Sequence, residues 1–277
     1  MKFRNPASVA LHAQDVSFAY PGGREVFQGF SLETHPGEFV ALLGPSGCGK
    51  TTLLNLLSGF LQPTAGRISI SDMPVVPELA SLGYVFQTPN LFPWLSVLEN
   101  VRFGLKMAGR LTVAEQREKA RHYLALVGLE ETADDLPHRL SGGMRQRVAL
   151  ARTLALEPGI LLMDEPFAAL DAITRINMNE ELLRIWSELG QTIIFITHDV
   201  DEAVFLADRV VVLGFPPNGI DSQTLIDLPR PRDRLTTRST SRFSEYGDHL
   251  MHRISAISSA KRNHSVTPSG ARIHAHS

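Results

Sequence analysis

A glycine-rich segment from Gly44 to Thr52, GPSGCGKTT, surrounds one lysine with small residues. The apolar runs FVALL before it and LLNLL after it predict a strand that leads through a loop into a helix. Four residues meet the motif G-x-x-x-x-G-K-[ST]: Gly44, Gly49, Lys50 and Thr51. Glycines let successive backbone N–H groups point inward, and the helix N-terminus adds positive potential. The loop is therefore predicted to bind the phosphates of a nucleoside triphosphate.

Within this loop, Lys50 is expected to neutralise the β- and γ-phosphate oxygens, while the hydroxyl of Thr51 coordinates Mg²⁺. The alternative is a glycine-rich turn with an incidental lysine, which the flanking strand and helix disfavour. The whole segment is therefore a candidate ATP-binding set: Gly44, Pro45, Ser46, Gly47, Cys48, Gly49, Lys50, Thr51 and Thr52. Cys48 is also the only cysteine, so no intrachain disulfide is expected, and a reducing compartment fits.

A second group of candidate residues ends the apolar run ILLMDEP, at Asp164 and Glu165. Asp164 is predicted to orient Mg²⁺, and Glu165 to polarise the attacking water as the catalytic base. Adjacent carboxylates at a strand end are also found at ordinary solvated loop starts. The phosphate loop earlier in the chain favours the metal and catalytic roles.

A third motif, LSGGMRQR, begins a helix at Ser141, Gly142 and Gly143 and offers another anion-binding N-terminus. Alone it would indicate an ordinary helix cap. In this order, the three motifs resemble those of the nucleotide-binding subunits of ABC ATPases. In that family, the serine-glycine-glycine signature of one protomer caps the γ-phosphate held by the phosphate loop of the other. The resemblance implies a head-to-tail dimer with two ATP molecules in its interface.

The resemblance covers about residues 10–215 and assigns further roles. Tyr20 matches the aromatic residue that stacks on adenine. Gln87 matches the glutamine that reaches Mg²⁺ and the attacking water. His198 matches the switch histidine that touches the γ-phosphate, and Ala168–Asp171 matches a loop that crosses the dimer interface. Without the resemblance, Tyr20 and His198 would be interpreted as packing residues.

Two positions depart from the family pattern. Met144 follows the signature where the commonest residue is glutamine, and Ala168 stands where serine is frequent. The helix-cap donors remain, so we expect hydrolysis to survive both changes.

The elements that position these residues predict an α/β fold, a phosphate-loop NTPase (RecA-like) core with an antiparallel β edge. Residues 10–43 alternate apolar runs with turn signals, which indicates two antiparallel strands before a buried one. A helical pattern at about 88–155 predicts an inserted α-helical subdomain. The 277 residues, 43% of them hydrophobic, suffice for a sizeable core. Apolar runs are strand-sized, so no membrane span or signal peptide is expected.

The end of the chain differs in charge from the rest. From Arg230 onward there are nine basic and three acidic residues, whereas the whole chain has a net charge of −2. We predict a C-terminal extension at 216–257, with one short helix at 241–257, and a disordered tail at 258–277. A solvated tail is the favoured interpretation of the basic charge; contact with anionic lipid or a partner is the alternative.

Two functions compete: the energy-coupling subunit of a membrane transporter, and a non-transport ABC ATPase that acts on DNA or ribosomes. DNA-acting relatives insert coiled coils or zinc modules, but the interval from Gln87 to Ser141 shows neither heptads nor a cysteine cluster. Ribosome-acting relatives usually carry two ATPase halves in one chain, and this chain has one. Both observations favour transport, with no nucleic-acid partner.

The loop after Gln87 carries the large apolar residues Leu91, Phe92 and Trp94. They either pack inside the helical insertion or form a groove that receives a short helix of a transmembrane permease. The resemblance favours the permease and a bacterial importer on the cytoplasmic face of the inner membrane, served indirectly by a periplasmic binding protein. The segments PWLSVLENV, LSGGMRQR and LPRPRDR (228–234) resemble those of the nitrate, sulfonate and taurine import group, although no residue of this chain selects the substrate.

Overall fold

The computed structural model describes residues 8–77, 79, 81–217 and 219–264. Over these residues the chain forms ten strands: β1 Leu11–Tyr20, β2 Arg24–Glu33, β3 Phe39–Leu43, β4 Ala65–Ile70, β5 Met73–Pro74, β6 Leu82–Val85, β7 Ile160–Asp164, β8 Thr192–Ile196, β9 Arg209–Leu213 and β10 Ile220–Leu225. The same residues form seven α-helices: α1 Lys50–Leu57, α2 Val97–Ala108, α3 Val113–Leu126, α4 Gly142–Leu154, α5 Ala172–Leu189, α6 Val200–Leu206 and α7 Ser241–His264. No helix in this described part of the chain is long and apolar enough to cross a membrane.

A six-stranded sheet in the order β10-β9-β3-β8-β7-β6 forms the centre of the fold. Its strands pair in parallel from β9 to β6, and β10 joins antiparallel to β9. A second, four-stranded sheet in the order β2-β1-β4-β5 is antiparallel. The predicted fold class, an α/β phosphate-loop core with an antiparallel β edge, is confirmed.

The strand that leads into the phosphate loop, β3, is buried on both faces. Phe39, Ala41 and Leu43 pack into the main core, which also contains residues of the helices α2 to α7. Val40 and Leu42 pack into a second core, shared with α1 and the antiparallel sheet. A parallel strand covered on both faces is apolar throughout, which explains the uninterrupted run FVALL. The strand ends at one edge of the sheet, where the loop begins.

The helices α2, α3 and α4 pack against one another as an insertion between β6 and β7. Ser96 begins α2 by accepting a hydrogen bond from the backbone of Glu99. Thr112 and Glu115 form a reciprocal capping box at the start of α3. Such caps satisfy backbone donors that have no partner within the helix. These helices lie within the predicted subdomain at 88–155.

The C-terminal region differs from the prediction in two respects. β10 lies in the proposed extension at 216–257, yet it pairs with β9 and belongs to the central sheet. The last helix, α7, continues past residue 257 to His264, so the predicted disordered tail is wrong for residues 258–264. Phe243 and Leu250 of α7 are buried in the main core, and this packing stabilises the helix. Residues 265–277 of the predicted tail lie outside the described residues.

Several basic side chains near the end of the chain form ion pairs with acids of the core or the extension. Arg230 contacts Asp208 at 2.6 Å and lies over the ring of Trp186, and Arg253 contacts Asp221 at 2.6 Å. Arg232 is buried and donates to four backbone carbonyl oxygens. The expected solvated tail is therefore wrong for this part, where arginines attach the extension to the core.

Candidate nucleotide site

The phosphate loop turns tightly between β3 and α1. The backbone of Cys48 donates to the carbonyl of Pro45 at 3.2 Å. Lys50 folds back over the loop, and its Nζ donates to the carbonyl oxygen of Gly44 at 2.8 Å. Gly49 has a φ of 100°, which L side chains rarely adopt, and an added Cβ would lie 2.9 Å from a methyl group of Val26. Glycine is therefore required here by both the backbone conformation and the close packing.

The side chains of this loop divide between the core and the surface. The thiol of Cys48 is buried, and burial raises its pKa. The thiol of Cys48 is therefore part of the core rather than of the loop surface. Ser46, Gly47 and Thr51 are exposed at the mouth of the loop, and Pro45 and Thr52 are half-buried. An anion placed over the loop would meet mainly backbone groups, as the sequence predicts.

Asp164, at the end of β7, lies beside the first turn of α1. Burial raises the pKa of its carboxyl, and the charge of Glu165 adds to this effect. Hydrogen bonds with Thr51 and Tyr84 and the charge of Lys50 act in the opposite direction. A carboxylate and a hydroxyl in contact are hard oxygen donors of the kind that Mg²⁺ binds. Asp164 and Thr51 therefore fit a magnesium ion.

Tyr84 is a residue that the sequence analysis did not identify. It lies on β6, beside β7, and burial followed by the charge of Asp164 raises the pKa of its phenol. A neutral phenol that donates a hydrogen bond to Asp164 fixes the orientation of that carboxylate. The only signal in the sequence is a tyrosine within an otherwise apolar strand, which is also typical of packing.

Glu165 and His198 follow adjacent parallel strands, β7 and β8. Glu165 has a φ of 42°, and its backbone N–H donates to the carbonyl of Ile196 at 3.0 Å. Nδ1 of His198 lies 3.1 Å from Oε2 of Glu165. A left-handed conformation of a non-glycine residue is strained, and such strain concentrates at functional sites. The structure thus brings together the two residues predicted to act on the γ-phosphate and the water.

Tyr20, the residue predicted to stack on adenine, ends β1 next to the phosphate loop. Its hydroxyl lies 3.0 Å from the hydroxyl of Thr52, and its ring packs edge-on against Phe18 at 4.9 Å. The ring is partly exposed at the end of the loop. This placement agrees with a ring that borders the same pocket as the phosphates.

Gln87 lies in a loop rather than at the end of a strand. The preceding strand, β6, stops at Val85, and Gln87 is exposed two residues later. The loop is attached to α4: Gln146 donates to the carbonyl of Phe86 at 3.2 Å, and Arg152 donates to that of Pro89 at 2.8 Å. The helical subdomain therefore holds the segment that carries Gln87.

The signature segment begins α4 on the surface. Ser141 accepts a hydrogen bond from the backbone of Met144 at 3.3 Å, and Ser141 and Gly142 are exposed. A Cβ on Gly143 would lie 2.7 Å from the methyl group of Thr174, at the start of α5. The intrachain neighbours of this helix start are therefore α5 and the loop before it. Its exposed side is available to another molecule, because the first N–H groups of a helix lack partners within the helix.

The two departures from the family pattern have simple environments. Met144 is half-buried and packs against the main core. Its apolar thioether therefore fits a position where the commonest residue of the family has an amide. Ala168 begins the interface loop, which ends at Asp171, the N-cap of α5. Hydrogen bonds from Thr174 lower the pKa of Asp171.

The apolar loop after Gln87 is partly packed and partly exposed. Leu91 packs against the core of the helical subdomain, and the ring of Phe92 lies 4.5 Å from that of Phe103. The side chain of Asn100 holds the backbone of Phe92 through two hydrogen bonds. Trp94 is 74% exposed. Packing within the helical subdomain thus explains the apolar character of Leu91 and most of that of Phe92. Trp94 is the remaining candidate for an anchor that contacts a partner.

Comparisons with known proteins identify a family for this chain. A family model described as ABC transporter matches residues 27–168. The taurine import ATP-binding protein TauB of Chromobacterium violaceum is 50% identical over 212 residues, 76% of this chain and 81% of that protein. The nitrate import ATP-binding protein NrtD of Synechococcus elongatus is 43% identical over 240 residues, 85% of this chain and 88% of that protein.

Among solved structures, the dimeric post-hydrolysis state of the ATP-binding cassette MJ0796, bound to ADP and Pi, aligns with a TM-score of 0.68 and 33% identity. The alignment covers 78% of this chain and 98% of that one. The phosphate loop at 44–52 and the acids at the end of β7 lie within the stretch that the family model matches. The chain therefore belongs to the ABC transporter family and is an ATPase of that family.

Proposed function

We propose that this chain is the energy-coupling ATPase subunit of a bacterial importer. Two copies would assemble head to tail around two ATP molecules and bind a transmembrane permease on the cytoplasmic face of the inner membrane. TauB and NrtD are named as import ATP-binding proteins, and their identity to this chain supports an import function. Nitrate, taurine and other sulfonates are the candidate substrates, recognised by the permease and a periplasmic binding protein.

One observation supports the dimer: within a single chain, the groups predicted to contact ATP lie in two different parts of the structure. Lys50, Glu165 and His198 border the edge of the central sheet, whereas Ser141 begins a helix whose neighbours are the interface loop and α5. An exposed helix start is a ready anion site. A second copy, placed head to tail, would bring its Ser141 to the γ-phosphate.

The chemistry follows from the placement of the side chains. Lys50 and the loop backbone would hold the phosphates, and Asp164 and Thr51 would hold Mg²⁺. When bound, the ion neutralises charge shared by the β- and γ-phosphates. Glu165 would accept the proton of the attacking water, and His198, in contact with Glu165, would fix the orientation of that carboxylate. Gln87 would contact the same ion from the loop that α4 holds.

Permease docking would use the surface beside Gln87. Trp94 is exposed there, and a second aromatic cluster lies at the other end of the same segment. The ring of Phe86 is partly exposed and lies 4.3 Å from that of Tyr84, and the ring of Phe60 lies 5.7 Å from that of Tyr84. Exposed aromatic rings at helix-receiving grooves are typical anchors. Because Arg152 and Gln146 tie this segment to α4, a docked helix would be coupled to the signature helix.

The decisive experiment combines turnover with association. Glu165→Gln keeps the size of the side chain and removes the base, so we expect ATP hydrolysis to fall by about two orders of magnitude or more. In ATP and Mg²⁺ this variant should accumulate as a dimer by light scattering. Glu130→Gln, on an exposed turn, is the matched control and should behave like the wild type.

Two results would contradict the proposal. Hydrolysis at the wild-type rate by Glu165→Gln would remove that residue from catalysis, and a fully active monomer would remove the dimer. Affinity capture of the tagged chain from its own cells should recover a permease. Recovery of ribosomal or DNA-repair partners instead would favour a non-transport ATPase.

A further inference from the structure

Arg175, in the first turn of α5, contacts two loops at once. Its Nη2 donates to the carbonyl oxygen of Leu170, within the interface loop, at 3.1 Å. Its Nη1 lies 3.5 Å from Oδ2 of Asp199, the residue directly after His198. A guanidinium has several donors in one rigid plane, so a single side chain can fix two acceptors relative to each other. Arg175 therefore links the interface loop to the loop of the switch histidine.

Asp199 is held on its other side by α6. Its Oδ1 accepts from the backbone of Glu202 at 3.1 Å and so caps the helix. Its backbone N–H donates to the hydroxyl of Thr197 at 3.0 Å. One carboxylate thus serves both the helix start and Arg175. The residue after His198 is constrained from two directions.

Thr197, the residue before His198, is held in the same way. Its hydroxyl donates to Oε2 of Glu202 at 2.6 Å, and the amide of Asn179 on α5 donates to Oε1 of Glu202 at 3.4 Å. Thr197, Glu202 and Asn179 are all buried. Each of these side chains makes a hydrogen bond within the cluster, and hydrogen bonds are strong in a buried, low-dielectric setting. Both neighbours of His198 are therefore connected to α5, the helix that begins at the interface loop.

We propose that Arg175 is a positioning residue that fixes His198 relative to the interface loop Ala168–Asp171. A displacement of the interface loop by the second copy would reach His198 through the pair of Arg175 and Asp199. This inference rests on the proposed function, in which both loops face ATP between two copies. In this arrangement, contact of the second copy with the interface loop would change the position of His198 in the nucleotide site of the first copy.

The magnitudes favour a positioning role over a stabilising one. The side chains of Arg175 and Asp199 are 25% and 32% exposed, and their closest atoms are 3.5 Å apart. Partly exposed pairs of this kind contribute about 0–1 kcal/mol to stability. Loss of the pair should therefore change turnover much more than the free energy of unfolding.

Two substitutions test the link, each with a physical reason. Asp199→Asn removes the charge that attracts Arg175 but keeps the helix cap, because asparagine caps as well as aspartate. Arg175→Met removes both donors and keeps the length of the side chain. Arg184→Met is the matched control, since Arg184 is on the same helix and pairs with Glu181 and Glu188.

Steady-state ATP hydrolysis is then measured with each variant of the full chain. We expect kcat to fall about tenfold in Asp199→Asn and Arg175→Met, with KM for ATP unchanged. The double variant should be no slower than the slower single variant, because interacting residues are not additive. Arg175→Lys should lie between the wild type and Arg175→Met, and Arg184→Met should match the wild type. Urea unfolding of each variant establishes that the loss is not one of folding.

Several outcomes would overturn the inference. Wild-type kcat in Arg175→Met, a rise in KM in place of the fall in kcat, or multiplicative effects in the double variant would each do so. In those cases the active wild type and Arg184→Met would leave the proposed function intact. A wild-type chain that does not hydrolyse ATP would instead contradict the proposed function itself.

Discussion

Arg232 closes the C-terminal end of α6, and its replacement by methionine tests how the extension is attached to the core. Nη1 donates to the carbonyl oxygens of Val204, Phe205 and Ala207 at 3.2, 3.0 and 2.8 Å. Nη2 donates to the carbonyl of Ile226, just after β10, at 3.2 Å. The side chain is 7% exposed. One cation thus joins a helix end to the chain that follows the central sheet.

Two opposing terms set the expected magnitude. Hydrogen bonds to a charged group each stabilise by about 1.5–3 kcal/mol, and a cation at a helix C-terminus adds up to about 2 kcal/mol when partly buried. Against this, burial of the cation is itself costly: burial followed by the charge of Arg230 lowers the pKa of Arg232 to about 10. Methionine removes that cost but leaves several carbonyl oxygens without this donor. We therefore expect a net loss of about 3 kcal/mol.

The measurement is urea unfolding followed by far-ultraviolet circular dichroism. Arg234→Met is the matched control, because Arg234 is 45% exposed and its closest ion-pair atom, on Glu180, is 4.0 Å away. The control should lie within about 0.5 kcal/mol of the wild type. If Arg232→Met were equally neutral, or if both variants lost the same stability, the role assigned to the buried guanidinium would be refuted.

Three further predictions concern the loop, the docking surface and acid stability. Gly49→Ala should weaken ATP binding about tenfold or more, measured by titration with a fluorescent nucleotide, because the left-handed backbone and the close approach of Phe27 both oppose a Cβ. Trp94→Ala should weaken permease association by about 2 kcal/mol in a binding assay, with basal ATP hydrolysis unchanged. Burial raises the pKa of Glu38, but hydrogen bonds and the charge of Arg209 hold this pKa below its ordinary value. Arg209→Met should therefore destabilise the protein above about pH 4.5, and the effect should become progressively smaller in acid.

Each of these has a contradicting result. Tight nucleotide binding by Gly49→Ala would show that the loop tolerates a side chain. Permease association unaffected by Trp94→Ala would leave that surface without its proposed anchor. The ion pair of Glu38 and Arg209, 2.7 Å apart, stabilises only while Glu38 is ionised, so an equal effect of Arg209→Met at every pH would refute the electrostatic account.

Features that depend on residues close together in the sequence could be predicted from it. The phosphate loop, the acids after β7 and the capping serine of the signature helix each depend on residues a few positions apart. The run FVALL predicts a strand buried on both faces, and the structure places it at the centre of the sheet. Local backbone requirements, such as glycine at position 49, are likewise visible in residue type.

Features that depend on partners distant in the chain could not be predicted. Tyr84 and Asp164 meet because β6 and β7 are neighbours, which the sequence does not state. Charge composition places Arg232 in a basic tail, because it does not reveal that the carbonyl oxygens at the end of α6 lack partners within that helix.

The sequence predicts that α7 ends at residue 257, because the composition beyond it thins to Ser, His, Arg and Gly. In the structure, the hydroxyls of Ser258 and Ser259 donate to carbonyl oxygens four residues back, so they are accommodated along the helix. Apolar spacing was the better guide to this helix than composition. Phe243, Leu250, Ile254 and Ile257 all pack toward the main core.

The position of Glu165 and His198 at the ends of two hydrogen-bonded strands has a mechanical consequence. Asp164 is paired with Ile196 in the parallel ladder, and the backbone of Glu165 extends that ladder by one hydrogen bond. Neighbouring strands are held about 4.8 Å apart, a spacing that resists stretching. The two side chains should therefore move together as one stiff unit during any hinge motion. In the proposed dimer, the site would then have to open through movement of the second copy or of the helical insertion.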